Sequence, residues 1–174
     1  WALKENTTEQ TLGRGKKQIT LTTKAGKPGE TCIVLHAANQ KVPLLSRCTY
    51  SLVWMQSASI NRKYNAISLA VQPMPGWREL WVFNKNNAGW SLNILPPTTG
   101  DTGLGYAEFA GWSPNGKQIL LAKESRAASR YQRRHEVVNL ANLTVARQAR
   151  DADILGAFNR WADATWKADS VSNR

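Results

Sequence analysis

Short apolar runs alternate with polar turn clusters along almost the whole chain. Runs rich in Val, Ile, Leu, Trp and Thr predict strands over residues 18–23, 31–36, 50–56, 66–72, 79–84, 90–95, 119–123, 136–140 and 143–147. Turn clusters of Gly, Pro, Asn and Thr separate them at 25–29, 73–76, 84–89 and 96–101. The spacing predicts an all-β chain of antiparallel hairpins.

Residues 111–122 carry the clearest local instruction. Pro114 presets φ for a turn, Asn115 and Gly116 tolerate positive φ, and residues 119–122 then supply a short apolar strand. Residues 58–70 align with 110–122 at an offset of 52. The segments after the two copies also agree in kind: strands over 78–83 and 90–95 after the first, over 134–138 and 143–147 after the second. Each unit reads as two paired hairpins. Four antiparallel strands recurring every 40 to 50 residues or so is the spacing of a propeller blade.

The stretch Gly111-Trp112-Ser113-Pro114-Asn115-Gly116-Lys117 resembles the W-S-P-D-G-K motif of TolB-type and WD-like bacterial β-propeller repeats, with Asn115 where Asp is usual. The earlier copy carries Arg62-Lys63-Tyr64 where Pro, Asp or Asn, and Gly stand in the motif. The resemblance covers residues 50–150 and implies four-stranded blades, clearest over 50–100 and 105–150. These lie in a single domain, 1–174, that opens with a basic segment, 1–17. An earlier blade is expected over 20–48 and the start of another over 158–167. About three to four imperfect blades imply an incomplete propeller, completed by sequence outside this chain or by another copy, or an open stack. For the C-terminal stretch a strand is favoured, with a helix as the alternative, because Ile154, Phe158, Trp161 and Thr165 also fit helical spacing.

Composition narrows the class without naming a function. A chain of 174 residues, 42% hydrophobic and 20% charged, suffices for one domain with its own core. It has no apolar run near the roughly 20 residues that span a bilayer. Twenty-three Lys and Arg against twelve Asp and Glu give +11, which favours anionic contacts such as nucleic acid, acidic glycans or lipid head groups. The basic residues cluster at Arg14, Lys16 and Lys17, at Arg62 and Lys63, and at Arg126, Arg130, Arg133 and Arg134. The last four are the anion-binding candidates, weighed against a plain solvated face.

Cys32 and Cys48 each lie beside a predicted strand, so a disulfide is favoured over two buried thiols and would place the chain in an oxidising compartment. No metal site is expected: neither cysteine belongs to a CxxC pair, and only His36 and His135 offer imidazoles. Residues 13–17 lack the spacing of a phosphate-cradling loop and read as a flexible basic segment, and no cofactor motif occurs. There is no G-x-S-x-G elbow, and the carboxylates form no recognisable acid/base pair, so no catalytic residue is assigned. Most of the eight tryptophans read as core, whereas Trp77 and Trp90, flanked by turn residues, are the candidates for exposed stacking platforms.

The resulting expectation is a non-catalytic binding or scaffolding module of the bacterial cell envelope, periplasmic or secreted. It would hold an unidentified protein or glycan on a propeller surface. The alternative is a protein that binds nucleic acid or an acidic glycan through basic loops.

Overall fold

The computed structural model describes residues 8–100, 103–127 and 130–172. Three four-stranded antiparallel meanders follow one another along the chain, and two short helices close the far side of the third. The all-β reading holds.

The first sheet contains β1 (Glu9–Leu12), β2 (Ile19–Ala25), β3 (Thr31–Ala37) and β4 (Leu45–Thr49), in that spatial order. The second contains β5 (Leu52–Ile60), β6 (Ala66–Met74), β7 (Trp77–Asn86) and β8 (Gly89–Leu95). The third contains β9 (Leu104–Trp112), β10 (Gln118–Ala127), β11 (Arg130–Asn139) and β12 (Val145–Ala149). The second and third are continuous, because β7 and β9 run parallel at Trp77–Gly105 and Arg78–Tyr106.

Strand periodicity explains how the layers stack. On β6 every residue from Ala66 to Val71 is buried, which is what a sheet covered on both faces requires. Ile67, Leu69 and Val71 pack with Trp81 and Phe83 against Leu21, Ile33 and Leu35 of the first sheet. Ala66, Leu80 and Val82 turn the other way, against Ile119, Leu121 and Val138 of the third. The opposite face of the third sheet presents Ala110, Leu120 and Val137 to Leu155, Ala157 and Phe158. Roughly 25 cal/mol per Å² of buried apolar surface makes these three interfaces the main source of cohesion.

The strand favoured near the C-terminus is replaced by helices α1 (Gly156–Trp161) and α2 (Ala164–Ser172). Residues 158–167 therefore do not begin another blade. Of the helically spaced residues, Phe158 and Trp161 on α1 cover one face of the third sheet, joined by Trp166 from α2, whereas Ile154 and Thr165 are exposed. Gly111 admits the helical segment, since a side chain there would lie 2.5 Å from the Trp161 carbonyl oxygen. The basic segment is not wholly irregular either: Glu9–Leu12 pairs with Ile19–Thr22. Among the described residues no helix is long and apolar enough to cross a membrane.

Cys32 and Cys48 face each other across β3 and β4 and form a disulfide. Glu30 lies close to both sulfurs. With the sulfurs bonded to each other, this group offers no thiolate to a metal.

Candidate binding face at the junction of the second and third sheets

Four strands place two arginines, a tyrosine and a glutamate in one row. Arg78 on β7 pairs with Tyr106 on β9, Tyr106 with Glu124 on β10, and Glu124 with Arg133 on β11. Neighbours directly opposite each other on adjacent strands share a face and interact. The Arg78 guanidinium carbon lies 5.5 Å from the centre of the Tyr106 ring, within cation–π range. Arg133 Nε lies 3.7 Å from Glu124 Oε1. Two residues further along the strands, on the same face, Leu104, Arg126 and Tyr131 form a second row.

Glu124 is the hub of this surface. Tyr106 and Tyr131 stand opposite Glu124 and Arg126 on β10, and the Glu124 carboxylate acts on both phenols. Burial first, then the Glu124 charge and hydrogen bond, hold Tyr106 well above the ordinary phenol range, with Glu108 adding to the shift. Burial and Glu124 also raise Tyr131, while the nearby Arg133 and Arg126 charges oppose the rise. Both phenols therefore remain protonated donors at neutral pH. Tyr131 keeps 51% of its surface exposed.

A shallow cleft of about 260 Å³ opens beside the ladder, bordered by Gln72, Gly76, Trp77, Arg78, Gly105 and Tyr106. Gly105 borders it and lets β9 approach β10, since a side chain there would lie 2.6 Å from the Glu124 carbonyl oxygen. Arg78 also borders a smaller pocket of about 30 Å³ with Ser57, Glu108 and Phe109.

The residues singled out from sequence are distributed differently from the expectation. Alternation along β10 and β11 puts Arg126 and Arg133 on the ladder face, whereas Arg130 and Arg134 occupy the other face. The four arginines do not form one patch. Arg134 is half-buried and donates from Nη2 to the Pro97 carbonyl at 3.4 Å. Trp77 is only 2% exposed, with its indole N–H donated to Glu79 Oε1 at 3.3 Å, so it is a cleft wall and not a stacking platform. Trp90 is half-buried and packs against the first core. Trp90 is covered where the second sheet packs on the first, a tertiary contact that no local pattern announces.

Tyr106, Tyr131, Arg78 and Glu124 were not singled out from sequence. The detectable signal was the alternation of Arg126, Tyr131 and Arg133 about a hairpin, legible only once its register is known. The histidines stand apart from this surface. His36 is on β3 of the first sheet. His135 is buried edge-on against Phe158 and Trp166, with Nδ1 2.9 Å from the Arg150 carbonyl oxygen. A carbonyl only accepts, so Nδ1 carries the proton of the neutral ring. Burial depresses its basicity, outweighing the Arg150 hydrogen bond, which acts the other way.

No family model matches this chain. No curated protein matches it. Among solved structures, the acylaminoacyl peptidase of Pyrococcus horikoshii is similar over 80% of this chain and 24% of its own, with a TM-score of 0.46 and 12% identity. This chain thus spans about a quarter of that protein's length. A likeness at this level assigns neither family nor chemistry.

Proposed function

We propose that this chain is a non-catalytic binding module of the bacterial cell envelope, holding a glycan or protein partner on the open face of the third sheet. The observation that carries the reading is the Arg78–Tyr106–Glu124–Arg133 row, with Arg126 and the exposed Tyr131 beside it. Tyrosine faces provide apolar area at low entropic cost, and arginine forks and a shared carboxylate give directional donors and acceptors. The adjoining cleft supplies concavity. The disulfide supports an oxidising, periplasmic or secreted setting. His135 is sealed under the helical cap and serves the core, which favours binding over acid–base chemistry.

The test is a fluorescence titration of the protein with neutral and uronate-bearing oligosaccharides, in which Trp77 at the cleft wall is the reporter. A saturable signal, weakened about tenfold or more by Tyr131→Ala, is expected. Failure of every glycan to shift the indole signal would leave only the protein-partner arm. Binding indifferent to both Tyr131→Ala and Arg126→Ala would sink the proposed face.

The polyanion alternative draws on the net charge of +11 and on the shared face of Arg126 and Arg133. It requires affinity to collapse with salt. An Arg133→Ala/Arg134→Ala variant that bound duplex DNA or polyuronate unchanged would remove this hairpin from consideration.

A further inference from the structure

The two ends of the stack differ in charge. At one end lie the connections 13–18 and 38–44 of the first sheet, 61–65 and 87–88 of the second, and 113–117 and 140–144 of the third. None contains Asp or Glu. The first sheet contributes exposed Arg14, Lys16, Lys17 and Lys41 there. The second contributes exposed Arg62, Lys63 and Lys85, and the third Lys117. None of these eight takes part in the ion pairs found among the described residues, Lys123–Glu136 and Arg133–Glu124. Asp163, beside Ala110 at the foot of the helical cap, is engaged in capping α2 through Thr165 N–H. At the opposite end, Lys27 and Arg150 are mixed with Glu30, Asp151 and Asp153.

The basic connections form one continuous surface. The Tyr64 ring lies against Gly13, and the Lys63 stem lies against Gly116. Asn61 Nδ2 donates to the Gly116 carbonyl at 3.3 Å, and Lys85 N–H donates to the Asn65 carbonyl at 2.8 Å. Leu140 N–H donates to the Lys117 carbonyl at 2.9 Å. Stacked sheets stand about 10 Å apart, so the cations form a broad array and not a groove. From the same end projects an apolar tip, with Val42 76% and Leu44 38% exposed around Pro43, directly after Lys41.

We propose that this turn end docks on an anionic phospholipid surface, with the basic connections against the head groups and the Val42–Pro43–Leu44 tip entering the interface. A broad cationic array with a protruding apolar tip complements a plane that is charged outside and apolar beneath. A nucleic acid or an acidic polysaccharide would use the charge and leave the apolar tip without a role. Basic side chains near such a surface each strengthen binding about fivefold. The proposal is independent of the ladder face, which sits toward the other end of the third sheet and stays free for a partner.

The experiment is vesicle flotation with phosphatidylcholine alone and with about 30% phosphatidylglycerol, at low and high salt. Binding to the anionic vesicles, weakened by salt, is expected. Replacing Lys16, Lys17, Arg62 and Lys63 together by Gln should lower affinity by roughly 100-fold or more. Val42→Asp should lower it separately, and Arg126→Gln/Arg133→Gln should leave it unchanged. Unaltered circular dichroism checks that the variants fold. Equal binding to neutral and anionic vesicles, full binding by the quadruple variant, or tighter binding to duplex DNA or polyuronate than to anionic vesicles would each overturn the proposal.

Discussion

The Tyr64 ring occupies the space that a side chain at Gly13 would need, tying the first connection of the first sheet to the hairpin turn of the second. Gly13 (φ 81°) and Gly15 (φ 65°) both adopt left-handed backbone, but nothing lies within 4 Å of a Cβ built at Gly15. Gly15→Ala should therefore cost only the backbone strain, about 1 kcal/mol. Gly13→Ala adds a clash with a packed ring and should cost roughly 3 kcal/mol. Urea denaturation of the two variants measures the difference, and equal losses would mean that the ring yields freely.

Lys123 Nζ lies 2.8 Å from Glu136 Oε1, with the side chains 13% and 3% exposed. Lys123→Met would strand a buried carboxylate and should destabilise the protein by roughly 3–5 kcal/mol. Adding Glu136→Leu should restore most of that loss, since the pair's desolvation cost disappears with it. A double variant no more stable than Lys123→Met alone would contradict this reading of the pair.

Cys32 and Cys48 close a loop with a sequence separation of 16. Replacing both by Ser should lower stability by about 3 kcal/mol, chiefly by releasing the unfolded chain. Thermal unfolding with and without reductant should show the same gap in the parent protein. No gap in the double-Ser variant is the internal control.

Burial holds His135 below its ordinary range in the folded state. The unfolded chain then binds the proton more readily, so stability is complete above about pH 6.5 and declines as pH falls from there toward the folded-state value. His135→Gln, which keeps an N–H for the Arg150 carbonyl, should flatten that part of the profile. Melting curves between about pH 7 and 5 decide it; an unchanged slope in the variant would assign the acid lability to other groups.

The hairpins were legible because their turns state their own chemistry, as Pro114, Asn115 and Gly116 do. The 52-residue offset has a physical counterpart: Tyr64 (φ 55°) takes up the left-handed backbone that Gly116 (φ 72°) holds in the next turn. Asn61 and Ser113, also 52 apart, are both buried and both accept backbone N–H groups across their turns. Three strands escaped notice because their patterns are weak. β1 and β4 are edge strands with few buried residues, and β9 is interrupted by Gly105 and Gly111. The C-terminal helices stood only as the alternative to a strand, because the spacing of Phe158 and Trp161 does not choose between the periods until the sheet they cover is known. The ladder was the least legible feature. Arg78 and Arg133 are 55 residues apart, and only the parallel junction of β7 and β9 carries the row through.

Because the three sheets and the helical cap stack in chain order, every hydrophobic interface joins segments that are neighbours in sequence. The second sheet can settle on the first before the third has left the ribosome, and the third can then settle on the second. At each stage the newest sheet has one bare face, which its successor covers within about 50 residues of further synthesis. The cap made by Phe158, Trp161 and Trp166 is the last layer in this order. A chain halted before it would leave Leu120 and Val137 bare, an adhesive face on the third sheet.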